Sequence, residues 1–97
     1  MLKVVTVCGN GIGSSLMLKM KIEVIAKENG IEVSVEPSDS NGATGKDCDL
    51  FVTVKEFESI FKPTQRVAIT RSYMNTKKIT EDVLPILMEL NEAKKGE

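Results

Sequence analysis

The chain contains no histidine and no tryptophan, and its aromatic residues are three phenylalanines and one tyrosine. Without histidine, neither a Ser-His-Asp nor a Cys-His catalytic pair can be assembled inside it. Few aromatic rings leave little to stack on bases, so no nucleic-acid partner is expected. The two cysteines, Cys8 and Cys48, lie far apart with no CxxC pair. A disulfide framework or a structural zinc site is therefore not expected, and neither a metal nor another cofactor is called for. No apolar run approaches the ~20 residues that cross a bilayer. The opening Met-Leu-Lys-Val-Val-Thr-Val-Cys is too short, and too soon followed by glycine, to be a signal peptide. The chain reads as cytoplasmic, with no direct membrane insertion. Excess charge is lacking too: 13 basic residues face 14 acidic ones, a net charge of −1. That balance gives no general pull on nucleic acid or anionic lipid. Any anion bound here must be held by local geometry.

What is present is the material of one small core. With 97 residues, a single domain spanning 1–97 is expected. Leu2, Val4, Val5 and Val7 form a β-branched run that ends at Cys8. Glycines interrupt it, and Ser14 and Ser15 open a stretch of helix formers from Leu16 to Asn29, with Gly30 as its C-terminal cap. Ile31 to Glu36 alternates apolar and polar residues, the pattern of an edge strand with one wet face. Pro37 to Asp47 reads as a loop with room for one helical turn. A third strand follows around Leu50, Phe51, Val52 and Val54, then a short helix from Lys55 to Phe61 stopped by Pro63. A fourth strand covers Arg66 to Thr70, and Arg71 to Asn75 is a loop. Ile79, Val83, Ile86, Leu87 and Leu90 make the stripe of an amphipathic last helix. It starts at Thr80 or Thr76, with Pro85 predicting a kink or an irregular first turn. The order βαββαβα predicts an α/β fold: a three-layer, doubly wound, four-stranded parallel sheet in the order 2-1-3-4, flavodoxin-like.

Such sheets place chemistry at the carboxyl ends of the strands, near the point where strand order reverses. Cys8 ends the strand that sits there. Gly9, Asn10, Gly11, Ile12 and Gly13 then lead to Ser14 and Ser15 at the start of the first helix. Glycines let a backbone turn its N–H groups inward, and a helix N-terminus adds unpaired N–H groups and positive dipole. Together they predict an anion cradle around a sulfur nucleophile. A cysteine at a strand end is also an ordinary small buried residue; the glycines and the serine pair favour the functional reading.

Two other anion sites use similar parts. Small cysteine phosphatases place an arginine after five intervening residues; here that position is Ser14, and no Asp-Pro pair supplies a general acid. Without the arginine fork, the loop suits a carrier that keeps its phosphoryl group away from water. A phosphatase or an arsenate-reductase-like enzyme remains the alternative from another class. The run from Gly9 to Ser14 also approaches GxGxxG, with the third glycine one place early and Glu36 where a ribose-binding acid would stand. A chain of this length leaves no room for a catalytic partner domain, which leaves a non-catalytic nucleotide or phosphate sensor as a third reading.

The stretch Val7-Cys8-Gly9-Asn10-Gly11-Ile12-Gly13-Ser14-Ser15-Leu16-Met17-Leu18-Lys19-Met20-Lys21 closely resembles the phosphorylation loop and helix of ascorbate-type IIB components of the phosphoenolpyruvate-dependent sugar phosphotransferase system. Galactitol-type IIB proteins are a neighbouring group, and lactose-type loops are less similar. The resemblance implies a relay. A phosphohistidine on a IIA protein or domain donates to Cys8, and Cys8 donates to a sugar bound by the membrane transporter IIC. It implies a phosphotransferase that acts as part of a transport complex, with Gly9 to Ser15 holding the phosphoryl oxygens.

Around this centre, Arg71 after the fourth strand is an accessory candidate that could pair with phosphoryl charge or with an acidic partner; its default is a solvated loop. Met17 and Met20 read as core residues, or else as a soft apolar rim for IIA or IIC. Cys48 reads as structural, and Lys19, Lys21 and Lys27 as a solvated helix face.

Overall fold

The computed structural model describes residues 1–9 and 13–95, the side chain of Lys95 excepted. Four strands, β1 (Leu2–Cys8), β2 (Val33–Asp39), β3 (Leu50–Thr53) and β4 (Val67–Ile69), pair in parallel in the order β2-β1-β3-β4. Helix α1 (Gly13–Glu28) joins β1 to β2, and helix α2 (Thr76–Lys95) follows β4. Two 3-10 segments, Ala43–Gly45 and Lys55–Ile60, occupy the connections on either side of β3.

Period-two alternation along β1 divides the core. Leu2 and Val4 face one way and pack with Leu18, Ile22, Ile25 and Ala26 of α1 and Ile79, Val83 and Leu87 of α2. Val5 and Val7 face the other way and pack with Ala43 and Phe51, against which Phe61 and Val67 lie. The sheet is thus a middle layer, with the two α-helices on one face and the 3-10 segments on the other. Right-handed crossovers require this arrangement, because the chain runs to opposite sides after β1 and after β3. The Phe51 and Phe61 rings, 4.8 Å between centroids and tilted at 45°, close the second face. Tilted ring packing of this kind adds a modest gain beyond the area buried.

Local signals explain the ends of α1. Its carboxyl end is a Schellman motif: Gly30 has φ of 70°, the Ile31 N–H donates to the Ala26 carbonyl at 2.9 Å, and the Gly30 N–H donates to that of Lys27 at 3.2 Å. Its amino end begins at Gly13, one residue before the serine pair.

Several sequence expectations are corrected. β2 does not stop at Glu36 but runs through Pro37 to Asp39, in register with Cys8. An edge strand needs ladder donors on one side only, so it tolerates proline. The short helix expected over Lys55 to Phe61 is present as a 3-10 segment, Lys55–Ile60. α2 starts at Thr76, capped by the Asn75 side chain, whose Oδ1 accepts the Lys78 N–H at 3.0 Å. α2 continues as one helix through Pro85, which is exposed, so water can reach the carbonyl that the missing N–H leaves without an intrahelical donor. Met17 and Met20 are not core residues: they are 39% and 58% exposed. No helix among the described residues is long and apolar enough to cross a membrane.

Candidate functional site

β1 ends at the switch point, between its two neighbours β2 and β3, and Cys8 is its last residue. The residue is only 3% exposed, yet it lines a cleft of about 280 Å³ together with Gly9 and Ser14. Opposite them stand Ser40, just after β2, and Glu56, Phe57 and Tyr73. The carboxyl ends of all four strands, or the segments that follow them, therefore contribute to the cleft around one thiol. A larger hollow of about 520 Å³ lies elsewhere, between the end of α1 and the start of β2; Met1, Lys27 and Glu32 line it, and no cysteine is among its described lining residues.

The floor of the cleft is tied down by buried hydroxyls. Thr6 Oγ1, fully buried, donates to the Ser15 carbonyl at 2.7 Å and so fixes the first turn of α1 against β1. The Val7 carbonyl accepts from Thr53 Oγ1 and from the Tyr73 hydroxyl, each at 3.1 Å. The peptide that enters Cys8 is thus held from β3 on one side and from the β4–α2 loop on the other. Burial pushes the Tyr73 phenol above its ordinary pKa; the charges of Cys8 and Glu56 add to this, while a bond with Thr53 opposes it.

Phe57 makes the wall. A Cβ built at Gly9 would stand 2.4 Å from Phe57 Cζ and 2.9 Å from its Cε1. Only a residue without a side chain lets the ring lie this close to the backbone beside the thiol.

Of the residues singled out from the sequence, Cys8, Gly9 and Ser14 line the cleft, Gly13 begins α1, and Ser15 is buried within its first turn. Asn10, Gly11 and Ile12 lie outside the described residues. Arg71 is not among the residues lining the cleft. Its Nε donates to the Asp82 carboxylate at 3.0 Å and its Nη2 to Glu81 Oε1 at 2.7 Å, which holds the guanidinium on the first turns of α2. Cys48 packs under the second face, far from Cys8. Its thiol donates to the Leu50 carbonyl at 3.4 Å, and burial raises its pKa.

Sequence reasoning missed Ser40, Glu56 and Phe57. The usable signal was position: all three follow strands whose ends meet at the switch point. Among the described residues no group of three or more metal-binding side chains comes together.

A doubly wound parallel sheet with a thiol at its switch point and a helix starting just beyond defines a small α/β protein whose strand-end cleft is lined by a cysteine. The family model for the lactose/cellobiose-specific IIB subunit of the PTS system matches residues 3–82. The chain belongs to this family, the IIB subunits of the sugar phosphotransferase system. It is also similar to the ascorbate-specific PTS system EIIB component of Mycoplasma pneumoniae, 31% identical over 70 residues, which covers 70% of this chain and 74% of that protein. The family description thus names lactose and cellobiose, whereas the name of the relative carries ascorbate. Family membership makes the chain a phosphoryl carrier with a phosphotransferase role in sugar transport.

Proposed function

We propose that Cys8 is the phosphoryl acceptor of this carrier. The Cys8 thiol gives its proton to water and its sulfur attacks a phosphohistidine on a IIA partner; the S–P bond forms as the N–P bond breaks, and the electron pair returns to the imidazole nitrogen, which takes a proton from water. Cys8 then passes the group to a hydroxyl of a sugar held by a membrane IIC partner. The S–P bond breaks, an O–P bond forms, and the hydroxyl proton is released. The first turn of α1 from Gly13 and Ser14, with the loop from Gly9, holds the phosphoryl oxygens through main-chain N–H groups, and positioning with charge stabilisation does most of the work. The carrier works as a single unit over residues 1–97, beside the transporter on the cytoplasmic side. The name of the Mycoplasma pneumoniae relative supports an ascorbate-like substrate.

The observation that carries this reading is the position of the thiol: it is the last residue of the central strand and lines the switch-point cleft. No arginine is among the residues lining that cleft, which favours holding the group over hydrolysing it. The test is intact mass after incubation with phosphoenolpyruvate, the general phosphotransferase components and a IIA protein. The chain gains one phosphoryl group; Cys8→Ser gains none and Cys48→Ser still gains it. A phosphoryl group retained in Cys8→Ser overturns the assignment.

A further inference from the structure

The cleft around Cys8 has an unusual charge for a phosphoryl site. Among the described residues, the side chains that line it include one carboxylate, Glu56, and no lysine or arginine. Arg71, the accessory cation suggested by sequence, is paired with Asp82 and Glu81, and Lys55, next to Glu56 in the chain, is not among the lining residues. Glu56 is exposed. Its charge is felt at the Tyr73 hydroxyl, as is that of Cys8, so the phenol stands within electrostatic reach of both groups. A site built to capture free phosphate from solution would place cations here.

We propose that Glu56 reserves the cleft for a phosphoryl group delivered by a protein, by repelling small free anions that diffuse toward Cys8. The proposal rests on the carrier reading of Cys8 and adds the source of its selectivity. Main-chain N–H groups at a helix start attract any anion. A free oxyanion must be held there by non-covalent contacts alone, and a like charge at the mouth weakens that hold directly. A phosphoryl group arriving on an imidazole is driven by exchange of one covalent bond for another and tolerates the same repulsion. Glu56 thereby keeps cellular phosphate from occupying the cradle while the carrier waits for its donor. The same repulsion acts on the phosphorylated thiol and favours passing the group onward.

The test compares alkylation of Cys8 by anionic iodoacetate and neutral iodoacetamide in the full chain, followed by peptide mass mapping, with Cys48 as the internal control at the far end of the sheet. In Glu56→Gln the iodoacetate-to-iodoacetamide rate ratio at Cys8 rises on the order of threefold to tenfold over the wild type, as expected for loss of a nearby like charge. Glu56→Asp keeps the wild-type ratio. The Cys48 ratio is the same in all three, and added salt shrinks the difference at Cys8. An equal ratio at Cys8 in Glu56→Gln and wild type overturns the proposal, and so does a Cys8 that reacts with neither reagent. Failure of the carrier reading shows separately, as absence of phosphoryl gain in the wild-type mass experiment, and leaves the alkylation comparison intact.

Discussion

The Tyr73 hydroxyl donates to the carbonyl of Val7 at 3.1 Å, which ties the β4–α2 loop to the peptide that enters Cys8. The two residues are 66 positions apart in the chain, so this bond forms only when the whole sheet is in register. It also places a phenol beside the thiol that the proposed chemistry charges.

Tyr73 can report on that charge. The chain has one tyrosine and no tryptophan, so near-ultraviolet absorbance of phenolate comes from this residue alone. Burial, then the charges of Cys8 and Glu56, hold the folded pKa above the ordinary tyrosine value of about 10. A raised folded pKa means the fold prefers the neutral phenol. The associated stability is fully present below the ordinary value and is lost as pH rises through the folded one. The absorbance midpoint should lie above that of the denatured chain and move higher when Cys8 carries a phosphoryl group. A midpoint unmoved by phosphorylation would show that the phenol does not sense the site. Tyr73→Phe should cost about 0.5–1.5 kcal/mol in denaturant unfolding, at the low end because Thr53 still bonds the Val7 carbonyl.

Gly9 and Phe57 should behave as a coupled pair. The methyl of Gly9→Ala would meet the ring at 2.4 Å, so the ring must swing out or the strand end must shift. Overpacking inside a core costs about 1–3 kcal/mol; here the obstacle is the tip of a half-buried ring that can swing out, so the cost should fall at or below the low end of that range. Phe57→Ala removes the obstacle, and the Gly9→Ala penalty should largely vanish in that background. A double-mutant cycle on unfolding free energies measures this coupling; additive costs would mean that the ring does not occupy the space above Gly9.

How much of this was legible in the sequence depends on the range of the forces involved. β1, α1 and the Gly30 cap follow from short-range periodicity and backbone preference, and both were readable. The strand order followed from handedness acting on the order of elements. The start of α2 was ambiguous because Thr76 and Thr80 are similar openers, and the deciding group was the Asn75 side chain one residue upstream. β2 outran its expected end because the run from Pro37, rich in Ser, Asn, Gly and Asp, reads locally as a loop, while a place at the sheet edge tolerates proline in a strand. The site divides in the same way. Cys8 and its glycines stand in one contiguous run. Glu56, Phe57 and Tyr73 join them through the parallel pairing of β3 with β1 and of β4 with β3, and no local pattern encodes that meeting. Met17 and Met20 were read as core because helix spacing alone does not say which stripe faces the sheet; the structure buries Leu18 and Ile22 instead.

Acid should weaken contacts at both ends of α2 through two carboxylates. Desolvation pushes the Asp82 carboxyl upward, but the side-chain and backbone hydrogen bonds from Arg71 outweigh it and hold the group below its ordinary value. Asp49 is held low in the same sense: desolvation is outweighed by the Lys3 N–H at 2.8 Å and by Lys94 at 3.2 Å. A depressed folded pKa gives stability that is present above the ordinary carboxylate value, about 4, and is lost as pH falls through the folded one. Thermal unfolding followed from neutral pH downward should therefore show a fall in midpoint beginning below about pH 4. Asp82→Asn should lower the neutral-pH midpoint and flatten the acid limb. A variant with an unchanged acid limb would remove Asp82 from the account.

The buried hydroxyl of Thr6 is the last coupling between sheet and site, and it separates packing from hydrogen bonding. Thr6 and Ser15 are both fully buried, and the Thr6 hydroxyl reaches the Ser15 carbonyl at 2.7 Å. Thr6→Val keeps the shape of the side chain but removes the donor. Losing a buried hydrogen bond in this way costs about 1–3 kcal/mol, and the loss falls on the contact that seats the first turn of α1 beside Cys8. Thr6→Ser keeps the donor and removes a methyl, so it should lose stability through packing while preserving that seat. Phosphoryl transfer from IIA, followed by intact mass at a temperature where all three forms are folded, should therefore slow in Thr6→Val and stay near wild type in Thr6→Ser. Equal transfer rates in the two variants, with unequal stabilities, would mean that the first turn of α1 holds its position without this bond and that Thr6 serves the fold alone.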